Sequence, residues 1–145
     1  QMHSSLVIAN RFIELAAGEN QKLTHMQVQK LVYFAHALSL SIVNKPLIKE
    51  HFLAYPFGPV EPMLYESLRV HGSSPINSIS TAENESLTDT EDLIIKSIYE
   101  KYGHLGAFAL SNLSHISGGP WDKAWNTCRF SEIENSSIQA FYGSR

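Results

Sequence analysis

The sequence predicts a mostly α protein: a compact single-domain helical bundle around one central buried helix at about 24–43, with at most a small β element near 51–57. Three observations predict it. A capping box, Thr24 with Gln27 three residues on, opens a run from Val28 to Ile42 that is apolar around much of its circumference. A helix of that kind is buried on more than one side and belongs at the centre. A second capping box, Thr88 with Glu91, opens another helix. Finally, only residues 51–57, short, aromatic and interrupted by Pro56, suit an extended segment or an edge strand.

The elements follow in order. Leu6, Ala9, Phe12, Ile13 and Ala16 recur at helical spacing, so a first helix is expected over 6–17, capped by Ser4 or Ser5 and followed by Gly18. Lys45-Pro46 closes the central helix. Gly58-Pro59 is expected to turn the chain into a third helix, from about Glu61 to His71, with Pro62 in its first turn and Gly72 ending it. Residues 73–88, rich in Ser, Asn, Thr and Glu, are expected to form an exposed, mobile loop. The helix opened by Thr88 runs to Gly103, and a fifth covers about Leu105 to Ile116, stopped by Gly118-Gly119-Pro120. A short helical turn at Trp121–Trp125 and a last helix at Ser136–Tyr142 complete the reading. With 145 residues, 43% of them hydrophobic and 17% charged, the chain suits one domain with a core of its own. Residues 5–142 are taken as that domain, with 1–4 and 143–145 as terminal extensions.

The same composition argues against several functions. The net charge is -3 and no Lys/Arg cluster exists to neutralise phosphates, so direct nucleic-acid binding is not expected. The first residues lack the basic stretch and apolar core of a signal peptide, with Gln1 ahead of what reads as the native start at Met2. No apolar run approaches the roughly 20 residues of a membrane span. The single cysteine, Cys128, excludes an internal disulfide and suits a reducing, cytoplasmic setting. The seven histidines, at 3, 25, 36, 51, 71, 104 and 115, include no i, i+4 pair, so no metal and no other cofactor is expected.

Catalysis finds equally little support. There is no nucleophile elbow and no P-loop, and Gly118-Gly119 simply stops a helix. Asp89, Glu91 and Asp92 suit a helix N-terminus. An enzyme would have to work through His115, His36 or Glu61, gathered in one pocket with perturbed pKa values. What the chain does hold is aromatic: Tyr33, Phe34, Phe52, Tyr55, Phe57, Tyr65, Trp121 and Trp125. Most of these belong in a core. Those left partly exposed are of the types that lead interface hot spots.

Five blocks in order carry a more specific pattern. Thr24-His-Met-Gln-Val-Gln-Lys-Leu-Val-Tyr-Phe-Ala-His-Ala, then Lys45-Pro46-Leu47 with Phe52 through Val60 and Tyr65, then Tyr102-Gly103, then Leu113-Ser114-His115 with Pro120-Trp121, and last Ile133-Glu134-Asn135 with Ile138 and Phe141-Tyr142. Together they resemble the SocA/Panacea antitoxin-domain family over nearly the whole chain. Tyr55, Phe57 and Ser114 stand where that family tends to show Trp, Tyr and Thr. The resemblance implies a module of prophages and toxin–antitoxin pairs. It would neutralise a protein toxin, encoded by a neighbouring gene, by direct stoichiometric binding. One branch acts as a proteolytic adaptor delivering its toxin to a Clp-type protease. The resemblance supplies no catalytic residue. Contact with the partner is expected around the Gly58-Pro59 turn, with Tyr55, Phe57, Gly58, Pro59 and Tyr65 as the partner-binding residues. Gln29, a polar residue inside the most apolar helix, must pair if buried, with backbone of the Phe57–Val60 turn as the expected partner. His115 and Trp121 are expected to pack together.

Overall fold

A computed structural model describes residues 2–77 and 85–143, as seven helices and one three-stranded sheet. Helix α1 is Ser5–Gly18, and Ser4 caps it by accepting the Leu6 N–H at 3.2 Å. Gly18 lies inside the last turn instead of after it. Helix α2, His25–Ile42, is the central element. Thr24 and Gln27 make both halves of the capping box. Val28, Leu31, Val32, Tyr33 and Ala35 are all fully buried, and successive residues of a helix point in different directions, so α2 is covered around its circumference. Helix α1 packs on it, as do α4 (Asp89–Tyr102), α5 (Ala107–Ser114) and α7 (Asn135–Gly143).

The small β element expected near 51–57 is present, as the middle strand of a three-stranded sheet. Strand β1, Phe52–Tyr55, lies between β2, Gly58–Val60, and β3, Glu132–Ile133, all antiparallel. Tyr55 faces Gly58, so the turn is Pro56-Phe57, and Gly58-Pro59 are the first residues of β2. The correction follows from backbone chemistry. Gly58 takes φ +116°, which L side chains rarely adopt, directly after the two loop residues, where a short hairpin needs it. Pro59 has no N–H to give and sits on an edge strand.

Glu61 caps α3, Pro62–Leu68, and a single 3-10 turn, Arg69–His71, carries the chain to Gly72. Helix α6 is Pro120–Thr127. The region read as an exposed, mobile loop at 73–88 contains a buried anchor: Ile76 is in the core and its N–H donates to the Leu23 carbonyl at 2.8 Å. Its middle, 78–84, and the ends 1 and 144–145 lie outside the described residues. His3, in the stretch read as an extension, is buried. Its ring nitrogens contact Glu85 at 2.6 Å and Glu91 at 2.9 Å, and these carboxylates raise its pKa against the opposing effect of burial.

Candidate partner-binding surface

The hairpin is built outward from α2. Gln29 is fully buried; its amide oxygen accepts the Glu61 N–H at 3.0 Å and its amide nitrogen donates to the Glu61 carbonyl at 3.1 Å. The pairing thus falls one residue beyond the expected 57–60 stretch. The next residue, Lys30, is fully buried too. Its ammonium nitrogen reaches the Pro59 carbonyl at 3.3 Å. A Cβ on Gly58 would lie 2.6 Å from Lys30 Cε and 2.5 Å from Ser114 Oγ, so this glycine is required by space as well as by φ.

Helix α5 holds the other side of the hairpin. Ser111 Oγ donates to the Phe57 carbonyl at 2.6 Å, and Trp121 Nε1 of α6 donates to the Tyr55 carbonyl at 2.7 Å. The hairpin tip is therefore clamped by side chains on both flanks while the Phe57 ring itself stands in solvent, 71% exposed. Phe108, one turn before Ser111 on α5, is 80% exposed.

Behind the tip, an unbroken chain of ring contacts runs through Tyr55 from His25 to His115. His25 lies 4.9 Å from Tyr65, Tyr65 6.1 Å from Tyr55, and Tyr55 5.3 Å from Phe130. Phe130 lies 5.7 Å from Trp125, Trp125 stacks on Trp121 at 5.5 Å, and Trp121 stacks on His115 at 4.0 Å. Separations in this range are those of attractive aromatic pairs. The His115–Trp121 stack is the expected one. Arg129 adds a cation over Trp125 at 4.9 Å. Phe130 reaches its place with φ +66°, a conformation that costs a bulky residue roughly 1–2 kcal/mol. Its N–H bonds the Ala54 carbonyl at 2.9 Å, which holds the strained residue against β1.

Of the residues expected to meet a partner, Phe57 and Tyr65 are exposed and Tyr55 is half-buried beside Tyr65. Gly58 and Pro59 are buried and act through backbone shape. All five belong to one hairpin and the helix that follows it, and ring contacts add Phe130 and Trp125. Trp125 is among the aromatics the sequence singles out; Phe130 is not, because its contact with Tyr55 joins distant segments.

The three residues through which an enzyme would have worked do not gather. His36 Nδ1 accepts the Leu47 and Ile48 N–H groups at 3.2 and 3.3 Å, so Nε2 carries the proton and donates to Asn135 at 2.8 Å. Glu61 accepts from Met63 N at 2.7 Å, Leu64 N at 2.9 Å and the Ser5 hydroxyl, which makes it a helix cap. Burial raises its pKa against those bonds. Burial lowers the pKa of His115, whose Nε2 is enclosed and makes no hydrogen bond among the described residues. Among the described residues no three His, Cys, Asp or Glu side chains form a set able to hold a metal, and no helix is long and apolar enough to cross a membrane. A separate groove of about 600 Å³ between α2, α4, α5 and α7 is lined by Phe34, Leu38, Ile98 and Tyr102, with Lys101 its one charged lining residue among those described.

A helical domain that holds exposed aromatic rings on a clamped hairpin has surface chemistry suited to a protein interface. The chain belongs to the family described as Antitoxin SocA-like, Panacea domain, whose profile matches residues 28–122, from within α2 to the start of α6. It is also similar to the Antitoxin SocA of Caulobacter vibrioides, 32% identical over 127 residues, covering 79% of this chain. The match spans 66% of that relative's length. No solved structure matches the chain.

Proposed function

We propose that this domain is an antitoxin that neutralises a protein toxin, encoded beside it, by direct stoichiometric binding through the hairpin face. Family membership supports an antitoxin role. The observation that carries the choice of surface is the Phe57 ring, left in solvent at the tip of a hairpin that Ser111, Trp121 and Lys30 hold from beneath. Rigid, exposed aromatics bind at low entropic cost and dominate hot spots. Tyr55 and Tyr65 flank the anchor, and Phe130 extends it toward α6.

The test is a titration of the neighbouring gene product's activity with increasing antitoxin. Binding predicts inhibition that saturates at a fixed small ratio of the two proteins. Inhibition at strongly substoichiometric antitoxin would mean turnover and would refute the proposal. Phe57→Ala, confirmed as folded by circular dichroism, is expected to cost at least ~2 kcal/mol of affinity. A loss only when a Clp-type protease is added would move the reading to an adaptor.

A further inference from the structure

We infer that Lys30 is the positioning residue of the binding face, and that the hairpin tip closes fully only when this lysine has shed its proton. The inference rests on the preceding reading for its consequence to a toxin, but its test does not.

The geometry is unusual for a lysine. Lysines normally run their stems along apolar surface and keep the ammonium in water. Lys30 is instead completely enclosed, with Gly58 packed on its Cε. An ammonium group carries three donors, and here the Pro59 carbonyl at 3.3 Å is its hydrogen-bond acceptor. Among the described residues no carboxylate lies within ion-pair distance of it. The groups that surround it are not anions. On α2 they are His25 and the Gln29 amide, which is used by Glu61. From α5 comes the Ser114 hydroxyl, which donates to the Ser111 carbonyl at 2.7 Å, followed by His115. Strand β2 offers only Gly58 and Pro59. Glu61, which follows β2, turns its carboxylate to Ser5, Met63 and Leu64, and Tyr65 rests on His25.

An unpaired buried charge is costly, so the closed site favours the neutral amine. Burial pushes Lys30 from 10.5 down to about 7. Opening the hairpin tip would hydrate the amine and return it to the ordinary lysine range. His25 is held near 4 and His115 is also lowered, so neither carries a proton above pH 7 and neither adds to the dependence there. The sign is then fixed. Above about pH 7 the closed form is neutral and the open form charged, so each added pH unit favours closure by about tenfold. Below about 7 both forms carry the proton and the dependence disappears. The tip is loosest at and below neutrality, and tightens on the alkaline side.

Hydrogen exchange of the hairpin amides in the free protein tests this. Base catalysis raises intrinsic exchange about tenfold per pH unit, while closure cuts the open population by the same factor. Wild-type hairpin amides are expected to exchange at a nearly constant rate between about pH 7 and pH 9, while α1 amides speed up. Lys30→Met should restore the ordinary tenfold rise at the hairpin. A wild-type hairpin that speeds up in step with α1 overturns the inference, with or without a folded Lys30→Met. A Lys30 ammonium that titrates near 10.5 by NMR overturns it as well. Neither readout involves a toxin, so failure of the toxin titration leaves this result standing.

Discussion

The side-chain amide of Gln29 closes a two-way pair with the backbone of Glu61, 3.0 Å to its N–H and 3.1 Å from its carbonyl, joining the middle of α2 to the end of β2. Both backbone groups are buried. Gln29→Leu leaves the Glu61 N–H without its partner, while the Glu61 carbonyl keeps the Tyr65 N–H at 2.9 Å; an orphaned buried donor costs about 1–3 kcal/mol. We expect a fall in urea-unfolding free energy of about 1–3 kcal/mol with an unchanged m value. A loss below half a kcal/mol would show that water replaces the amide and that α2 does not hold the hairpin this way.

Gly58→Ala combines two penalties. The backbone at φ +116° strains any L side chain, and the new methyl would press on Lys30 and Ser114. Strain of this kind costs of order 1–3 kcal/mol before any clash. The variant should lose at least ~2 kcal/mol of stability and should bind its partner poorly even where folded. An unchanged melting temperature would mean that the hairpin relaxes freely and is not clamped.

Much of this architecture is legible in the sequence because it is written in local chemistry. Thr24 with Gln27 and Thr88 with Glu91 are self-contained cap signatures, and both caps form. A glutamine within an apolar helix announces a buried pairing, although not the residue it pairs with. The turn is displaced by two residues, because glycine takes up the strained backbone after the loop and not within it. Strand β3 is two residues long, too short to show alternation, and is created by pairing with β1. Lys30 carries no local mark either: its enclosure depends on a glycine 28 positions away. Likewise Phe130 and Trp125 join Tyr55 only once α6 is docked on the sheet.

His25 gives the fold an acid limit. It is buried against Tyr65, and burial first, then Lys30 and His71, bring its pKa to about 4 from 6.5. The unfolded chain therefore binds a proton that the native state refuses. Between pH 6.5 and 4 the unfolded state holds more protons, so stability falls with falling pH, by up to about 3 kcal/mol from this residue. His36 and His115, also lowered, act in the same direction. His3 is raised, so its contribution is complete below its unfolded value and is lost only as pH rises past the folded one. Melting temperatures measured from pH 7 to pH 4 should drop, and His25→Phe should flatten part of that slope. An equal slope in the variant would assign the acid limit elsewhere.

Phe130 separates stability from binding most sharply. Its ring contributes an edge contact to Tyr55 and another to Trp125, while its φ of +66° works against the fold. Phe130→Gly removes both at once: roughly 1–2 kcal/mol of backbone strain is relieved and about the same is lost in ring contacts. The net change in unfolding free energy should lie within about 1 kcal/mol of zero. Phe130→Ala keeps the strain and loses the ring, so it should be the less stable of the two, by about 1 kcal/mol. Toxin affinity should respond differently. Both variants lack the exposed ring, so both should bind more weakly than wild type by a similar factor, regardless of their difference in stability. Leu93→Ala and Val70→Ala remove side chains as exposed as Phe130 but outside the ring chain, and are expected to leave affinity unchanged. If the glycine variant binds like wild type while the alanine variant does not, affinity follows backbone strain, and the ring of Phe130 is not part of the contact.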